Sequence, residues 1–282
     1  MTADARFSGP LDVGEAREFV PFMHELIGAA IAVIRPLFLS GVPVDTKHDT
    51  SPVTAADRGA EQAMRALIEH RYSDHGVLGE EFGEHAAAPG TPRYRWVLDP
   101  VDGTRAFISH CFLFGTLVAL ERDDGAGYRP VLGAIAHPAA GLALIGHARE
   151  SRLFASDGSQ RVVRVRECGQ LEEATVLATS HWTTQEQRGA PNAARIEQLV
   201  ARARLYRTWG DCFGYFALAT GGADVMLDPT LAYWDVAAIV PVVEGAGGAV
   251  SSWSGGDPLA TPSLIAASPT LHAAVLQVLH DA

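Results

Sequence analysis

Lysine is almost missing from this chain. Lys47 is the only one, and every other basic residue is an arginine. A Walker-type phosphate loop needs Gly-Lys-Ser/Thr, whereas Lys47 sits in Asp45-Thr46-Lys47-His48, so that class is excluded. Schiff-base chemistry has this single amine to draw on. Cysteine is scarce as well. Cys111, Cys168 and Cys212 are odd in number and far apart, so neither a disulfide framework nor a zinc spacing emerges, and reduced thiols are expected. No uncharged apolar run approaches the ~20 residues that span a bilayer. Residues 1–12 show neither the basic region nor the apolar stretch of a secretion signal, so a soluble cytoplasmic protein without a membrane partner is expected. Positive charge is also in deficit: 22 Lys and Arg against 33 Asp and Glu leave a net charge of −11, which suits no nucleic-acid backbone. The absence of any Gly-x-Ser-x-Gly elbow removes the common form of serine hydrolase.

What is present is a chain of 282 residues with 48% hydrophobic and 20% charged residues, enough to bury a core and divide into two lobes. Phe19, Met23, Ile27, Ile31 and Ile34 recur at spacings of three and four, which predicts an amphipathic helix ended by Pro36 and Gly41. A second helix is expected over 56–70, opened by the capping box Thr54-Ala55-Ala56-Asp57. Short apolar runs at 77–78, 96–98, 112–120, 131–136 and 142–148 read as strands of an antiparallel or mixed sheet, with a turn at 138–141. Beyond about residue 156 strands and helices alternate: strands over 175–179, 223–227 and 263–267, helices over 196–203, 211–219, 235–244 and 271–279. The expected boundary lies near Asp157-Gly158-Ser159. It leaves an α+β lobe over 1–157 and an α/β lobe over 158–282 that carries Asp211, Asp228 and Asp235.

The chemistry concentrates in four stretches. In Trp96-Val97-Leu98-Asp99-Pro100-Val101-Asp102-Gly103-Thr104 a buried strand ends in a carboxylate, and Pro100 stops its ladder. A second carboxylate follows three residues later, so that two acids can face one point, as hard cations such as Mg²⁺ require. Gly103 lets backbone amides approach a phosphate, and a helix starting there adds its dipole. Gly79-Glu80-Glu81-Phe82-Gly83 follows the apolar Val77-Leu78; alone it also fits a solvated turn. Trp234-Asp235-Val236-Ala237-Ala238 places an acid where an apolar helix opens, a position that an ordinary N-cap also explains. The polar stretch from Lys47 through Ser51-Pro52-Val53-Thr54 to Asp57 leads into the second helix.

Taken together and in this order, these pieces resemble the inositol monophosphatase superfamily of metal-dependent phosphatases, from about Asp45 to Gly248. Asp45-Thr46-Lys47 with 51–57, Gly79 to Gly83, Gly103-Thr104-Arg105-Ala106-Phe107-Ile108-Ser109, and Gly210-Asp211 followed by aromatics are most similar to its histidinol-phosphatase branch. The resemblance implies a layered αβαβα sandwich of the inositol monophosphatase and sugar phosphatase type, usually a homodimer. It implies two or three Mg²⁺ ions. Glu80, Asp99 and the carbonyl of Val101 would hold one, and Asp99, Asp102 and Asp235 a second, with a looser third ion beside Glu80. A metal-activated water would attack phosphorus, oriented and deprotonated with the help of Thr104 and Asp57, while the amides of Gly103 and Thr104 hold the phosphate.

The substrate implied is a small phosphorylated metabolite. Asp228 stands seven residues before Asp235, where relatives acting on inositol place a hydroxyl-binding acid. Asp211 stands where those relatives carry a small or neutral residue. Carboxylates at both positions suit the ammonium and imidazole of histidinol phosphate, a step of histidine biosynthesis. Asp211 is equally explained as a helix N-cap after Gly210. Arg105 either lines the cleft or lies on the surface. His110 departs from the branch, where glycine follows Ser109. The alternatives are inositol monophosphate, a bisphosphorylated nucleotide, fructose bisphosphate, or a non-catalytic metal-binding module. The last would have lost some of Glu80, Asp99, Asp102, Thr104 and Asp235, and all five are present.

Overall fold

Successive side chains on a strand face opposite ways, and the apolar runs use both faces. Trp96 and Leu98 enter one core with Phe22, Leu26 and Met64, while Val97 between them enters a second with Val236 and Val240. The same alternation recurs at 225–227: Val225 and Leu227 join a third core with Leu199 and Leu271, and Met226 joins the second. Three cores separated by two sheets make five layers.

The structure, a computed structural model, describes residues 7–47, 51–85, 93–180, 193–261 and 263–280. His48, Asp49 and Thr50 of the polar stretch lie outside the described residues. In chain order the elements are α1 (Val13–Leu37), β1 (Val44–Thr46), β2 (Pro52–Thr54), α2 (Ala55–Arg71), β3 (Gly76–Gly79), β4 (Gly83–His85), β5 (Tyr94–Asp102), α3 (Thr104–Ile108), β6 (Gly115–Asp123), β7 (Tyr128–His137), β8 (Leu142–His147), β9 (Glu150–Ala155) and β10 (Gln160–Val163). They continue with β11 (Thr175–Ala178), α4 (Ala193–Arg202), β12 (Leu205–Arg207), α5 (Asp211–Ala219), β13 (Val225–Asp228), α6 (Tyr233–Gly245), β14 (Ala249–Ser251), β15 (Leu264–Ala267) and α7 (Pro269–His280).

An eight-stranded sheet runs β10-β9-β8-β7-β6-β5-β3-β4, antiparallel except where β3 lies parallel to β5. A five-stranded sheet runs β12-β11-β13-β15-β14, parallel at β12-β11-β13 and antiparallel beyond. The turn at Asp157-Gly158-Ser159 joins β9 to β10 within the larger sheet. Helices α1 and α2 cover the outer face of the large sheet, α5 and α6 fill the space between the sheets, and α4 and α7 cover the small sheet. This is the αβαβα sandwich expected.

Helix α6 is apolar on all sides and buried from Asp235 to Gly245, as a helix between two sheets must be. It approaches the large sheet so closely that a β-carbon on Gly133 would lie 2.1 Å from the Ala238 carbonyl oxygen. Helix α1 is long and apolar enough to cross a membrane by length and composition. Here it is a core helix, burying Phe19, Phe22, Met23, Leu26, Ile27, Ala30 and Ile34. It runs through Pro36 and ends one residue later.

Two expectations are corrected. The strand read from Phe112 begins at Gly115, because Phe112 is 56% exposed and packs only edgewise on Phe38. Strand β5 does not stop at Asp99. It bulges at Pro100 and pairs again at Asp102. Cys111, Cys168 and Cys212 are free thiols.

Candidate active site

The bulge in β5 builds the centre of the site. In a regular strand, residues three apart face opposite ways. Asp99 pairs with Leu117 and Asp102 with Gly115, so three steps on β5 correspond to two on β6. The extra residue brings both carboxylates to one face. Pro100, which donates nothing to a ladder, occupies the irregular stretch, and its carbonyl accepts the Thr116 hydroxyl at 2.8 Å.

Asp235 completes the cluster. Asp99, Asp102 and Asp235 each offer an oxygen within 4.8 Å of the others. Helix α6 begins at Tyr233, two residues before its expected start, with Ala232 at the N-cap. Asp235 is therefore the third helical residue. One oxygen reaches back to accept the Ala232 amide at 2.8 Å, while the carboxylate stays within the 4.8 Å cluster with Asp99 and Asp102. The capping role and the cluster role belong to the same carboxylate.

Glu80 joins from the end of β3. Its amide donates to Leu98 O at 3.1 Å, and its side chain reaches Asp99. Lys47 bridges Glu80 and Glu81 at 2.7 and 2.6 Å. Burial opposes the charge on Lys47, yet these two hydrogen bonds raise its pKa. Burial, then the charges of Glu80, Asp102 and Asp235, push Asp99 well above the usual carboxylate range. Burial and then the Asp102 charge do the same to Asp235, and burial raises Asp102.

Asp99 Oδ1 is buried and has no hydrogen-bond partner. An unpartnered buried oxygen among converging acids is costly unless a cation faces it. The donors here are oxygens, with no histidine or thiol in the cluster, which fits a hard divalent ion. The residues present therefore fit the expected metal.

Asp57 and Thr104 lie beside the cluster. Asp57 caps α2 by accepting the Thr54 amide and hydroxyl at 2.8 and 2.6 Å. Its other oxygen is 3.2 Å from Thr104 Oγ1, which is also 3.0 Å from the Val101 carbonyl. Burial raises the pKa of Asp57. Gly103 sits at φ +79° as the N-cap of the five-residue α3.

The structure decides against Asp211 as a helix cap. The N-cap of α5 is Gly210, and Asp211 is the first helical residue, at φ +48°. Its amide donates to Thr179 Oγ1 at 2.9 Å, and its carboxylate leans over Gly103. Burial, then the charges of Asp102, Asp228 and Asp235, raise its pKa well above the usual carboxylate range; Arg105, exposed nearby, opposes that shift. Asp228 is 1% exposed and engaged on both oxygens, by the Thr179 amide at 3.3 Å and the Tyr215 hydroxyl at 2.9 Å. Burial pushes its pKa up to about 7.

A model of the inositol monophosphatase family matches residues 15–282. The chain belongs to that family. It is 38% identical over 212 residues to a histidinol-phosphatase of Chlorobaculum parvum, covering 75% of this chain and 76% of that one. It is 31% identical over 236 residues to a histidinol-phosphatase of Streptomyces coelicolor, covering 82% and 85%. An inositol monophosphatase from Zymomonas mobilis superposes with a TM-score of 0.77 at 34% identity, over 94% of this chain and 98% of that one. The protein is a phosphatase of this family, and its acidic cluster is suited to the metal-dependent catalysis of such enzymes.

Three residues of the site were not read from the sequence. The Cys212 amide donates to Asp102 Oδ2, and Thr179 and Tyr215 tie Asp228 in place. None stands in a motif; the one sequence signal was the aromatic run after Asp211. The departure at His110 carries backbone strain. It sits at φ +59° in a Schellman end to α3, with Cys111 N donating to Ala106 O and His110 N to Phe107 O. A glycine is the ordinary residue there.

Proposed function

We propose that this phosphatase hydrolyses L-histidinol phosphate to L-histidinol and phosphate with Mg²⁺, as a cytoplasmic, homodimeric enzyme of histidine biosynthesis. The observation that carries the reading is Asp211, an acid held in a left-handed backbone conformation and pressed against Gly103 beside the metal carboxylates. A cationic leaving group relieves that crowding of negative charge; a neutral polyol does not. The names of the relatives above lend the same support.

Glu80, Asp99 and the Val101 carbonyl would hold one Mg²⁺, Asp99, Asp102 and Asp235 a second, and a third would lie beside Glu80. Bound there, the ions neutralise phosphate charge and make water a stronger nucleophile. Thr104 Oγ1 accepts that water's hydrogen bond while donating its own proton to Asp57. Burial makes Asp57 a better base, and it draws the proton away as the P–O bond to water forms. The amides of Gly103 and Thr104 face the phosphate oxygens. As the ester P–O bond breaks, water protonates the departing alcohol. Arg105 lines the mouth. Asp211 binds the ammonium, and Asp228, buried and held by Thr179 and Tyr215, supports it through Thr179, whose hydroxyl accepts the Asp211 amide.

Phosphate release with Mg²⁺ is the test, using histidinol phosphate, inositol monophosphate, 3′,5′-bisphosphorylated adenosine and fructose bisphosphate. The expected result is a kcat/KM for histidinol phosphate about 100-fold above the others, the differential of one or two charge-assisted contacts. Equal or better turnover of inositol monophosphate overturns the substrate assignment.

A further inference from the structure

Glu61 is one turn beyond Asp57 on α2 and is fully buried. On the helix it resembles any surface glutamate with an arginine four residues on, and Arg65 Nε does donate to Glu61 Oε1 at 2.7 Å. Yet Glu61 points away from solvent, into the loop that carries Glu80. Its Oε2 accepts the Glu81 amide at 2.8 Å, and its Oε1 accepts the Phe82 amide at 3.2 Å. Arg65 reaches past it to the Gly83 carbonyl at 2.5 Å. The carboxyl group lies flat against Gly79: a β-carbon there would be 2.0 Å from Glu61 Oε1 and 2.4 Å from its carboxyl carbon. Only glycine admits that approach, which explains the first glycine of Gly79-Glu80-Glu81-Phe82-Gly83.

We infer that Glu61, buttressed by Arg65, is a positioning residue that presets the backbone of Glu80 for metal binding. The inference rests on the reading of Glu80 as a metal ligand. Glu80 lies between the glycine that Glu61 packs on and the two amides that Glu61 holds, so its main chain has little freedom left. Its side chain is then carried to the same point each time, toward Asp99 and Lys47. Without Glu61, the part-buried amides of Glu81 and Phe82 lose their acceptor and the loop must rearrange to find others. Ordering that loop again becomes part of the cost of binding the metal. The same helix carries Asp57, which holds Thr104. Helix α2 therefore sets both a metal-ligand loop and the water-orienting threonine from one rigid element.

The test compares wild type with Glu61→Gln and Arg65→Met. Glutamine keeps the shape but turns an N–H₂ donor toward groups that are themselves donors. Binding of Mn²⁺ to the full-length protein without substrate is followed by the electron paramagnetic resonance of free Mn²⁺, alongside thermal unfolding and the Mg²⁺ dependence of phosphate release. Expected for Glu61→Gln is a folded protein whose Mn²⁺ affinity and Mg²⁺ half-saturation both weaken about tenfold, with kcat at saturating Mg²⁺ largely recovered; this is the size of effect that groups supporting metal ligands exert. Arg65→Met should move both in the same direction by about threefold, and serves as the test if Glu61→Gln fails to fold. Unchanged Mn²⁺ affinity and Mg²⁺ half-saturation, with only a lower Tm, would overturn the inference and leave Glu61 a packing residue. Wild-type protein that binds Mn²⁺ normally but fails to release phosphate from histidinol phosphate would count against the proposed substrate alone.

Discussion

Asp211 Oδ2 stands 3.0 Å from the point where a β-carbon on Gly103 would sit, and the Leu113 carbonyl stands 2.9 Å from it on another side. Gly103 is also at φ +79°, where an L side chain is strained. Gly103→Ala should therefore destabilise the protein by about 1–3 kcal/mol and displace both Asp211 and the amides of residues 103 and 104. The expected outcome is a lower Tm and a fall in kcat/KM of about 100-fold or more, since small misplacements in such sites are costly. A variant of wild-type stability and activity would show that the contact is slack.

Asp211→Asn separates charge from shape. Asparagine tolerates the left-handed backbone at φ +48°, so folding should be preserved. Loss of the carboxylate removes one charge-assisted contact, so kcat/KM for histidinol phosphate should fall about 10- to 100-fold. Inositol monophosphate turnover should change by less than about threefold, because no cation is lost to it. Parallel losses on both substrates would remove the ammonium-binding role.

The acidic cluster predicts an inverse relation between stability and function. Asp99 carries the crowding of Glu80, Asp102 and Asp235, and one of its buried oxygens has no partner. In metal-free buffer, Asp99→Asn should raise stability by about 1 kcal/mol, roughly 2–4 °C in Tm, because a neutral side chain of the same shape avoids the cost of charging or protonating a buried acid among like charges. Mg²⁺ should stabilise wild type and leave the variant unmoved, and Mg²⁺-dependent turnover should vanish. Thermal unfolding in chelator and in Mg²⁺ checks this. A variant less stable than wild type in chelator would mean that the cluster is not strained by charge.

How much of this was legible in sequence depends on the range of the contacts involved. The capping box at Thr54 and Asp57, the helix at 211–219 and the cores of β5 and β7 follow from local pattern, and appear as expected. Two acids around a proline suggested a shared focus, but the strand was expected to end at Asp99; only the register against β6 shows a bulge. Asp211 read equally well as a cap because Gly-Asp before a helix is a common start, and its left-handed backbone is imposed by Thr179 and Gly103 from distant elements. Glu61 was invisible for the same reason, since its partners lie twenty residues away. Strands β9, β10, β12 and β14 were missed because they are short or polar and owe their pairing to neighbours in the sheets.

His110 marks a place where the chain keeps a strained residue at the end of a short helix. At φ +59° in a Schellman turn, histidine pays a steric cost that glycine avoids, partly offset by the greater freedom of glycine in the unfolded chain. His110→Gly should stabilise the protein by about 0.5–1 kcal/mol, read as a higher urea midpoint with unchanged m-value. Its histidine side chain is exposed, so loss of stability on this substitution would mean that the ring makes contacts which outweigh the backbone strain.

The last prediction concerns acid. His272, on α7, is buried, and its Nε2 lies 3.0 Å from Ser251 Oγ. Ser251 donates its own proton to the Ser252 carbonyl at 2.9 Å, so His272 must donate through Nε2–H, leaving Nδ1 as the atom that would be protonated. Burial lowers the His272 pKa to about 4, against 6.5 for the ordinary side chain. A base depressed in the folded state contributes stability that is present above its unfolded pKa and lost as pH falls toward the folded value. The window is therefore pH 6.5 to 4, with about 2 kcal/mol lost by pH 5. His272→Gln keeps a donor for Ser251 without titrating. Urea unfolding at pH 7 and pH 5 should show a gap between the two pH values that is about 2 kcal/mol smaller in the variant than in wild type. An unchanged gap would mean that His272 is protonated in the folded state at pH 5, and that water or a neighbouring acceptor reaches Nδ1.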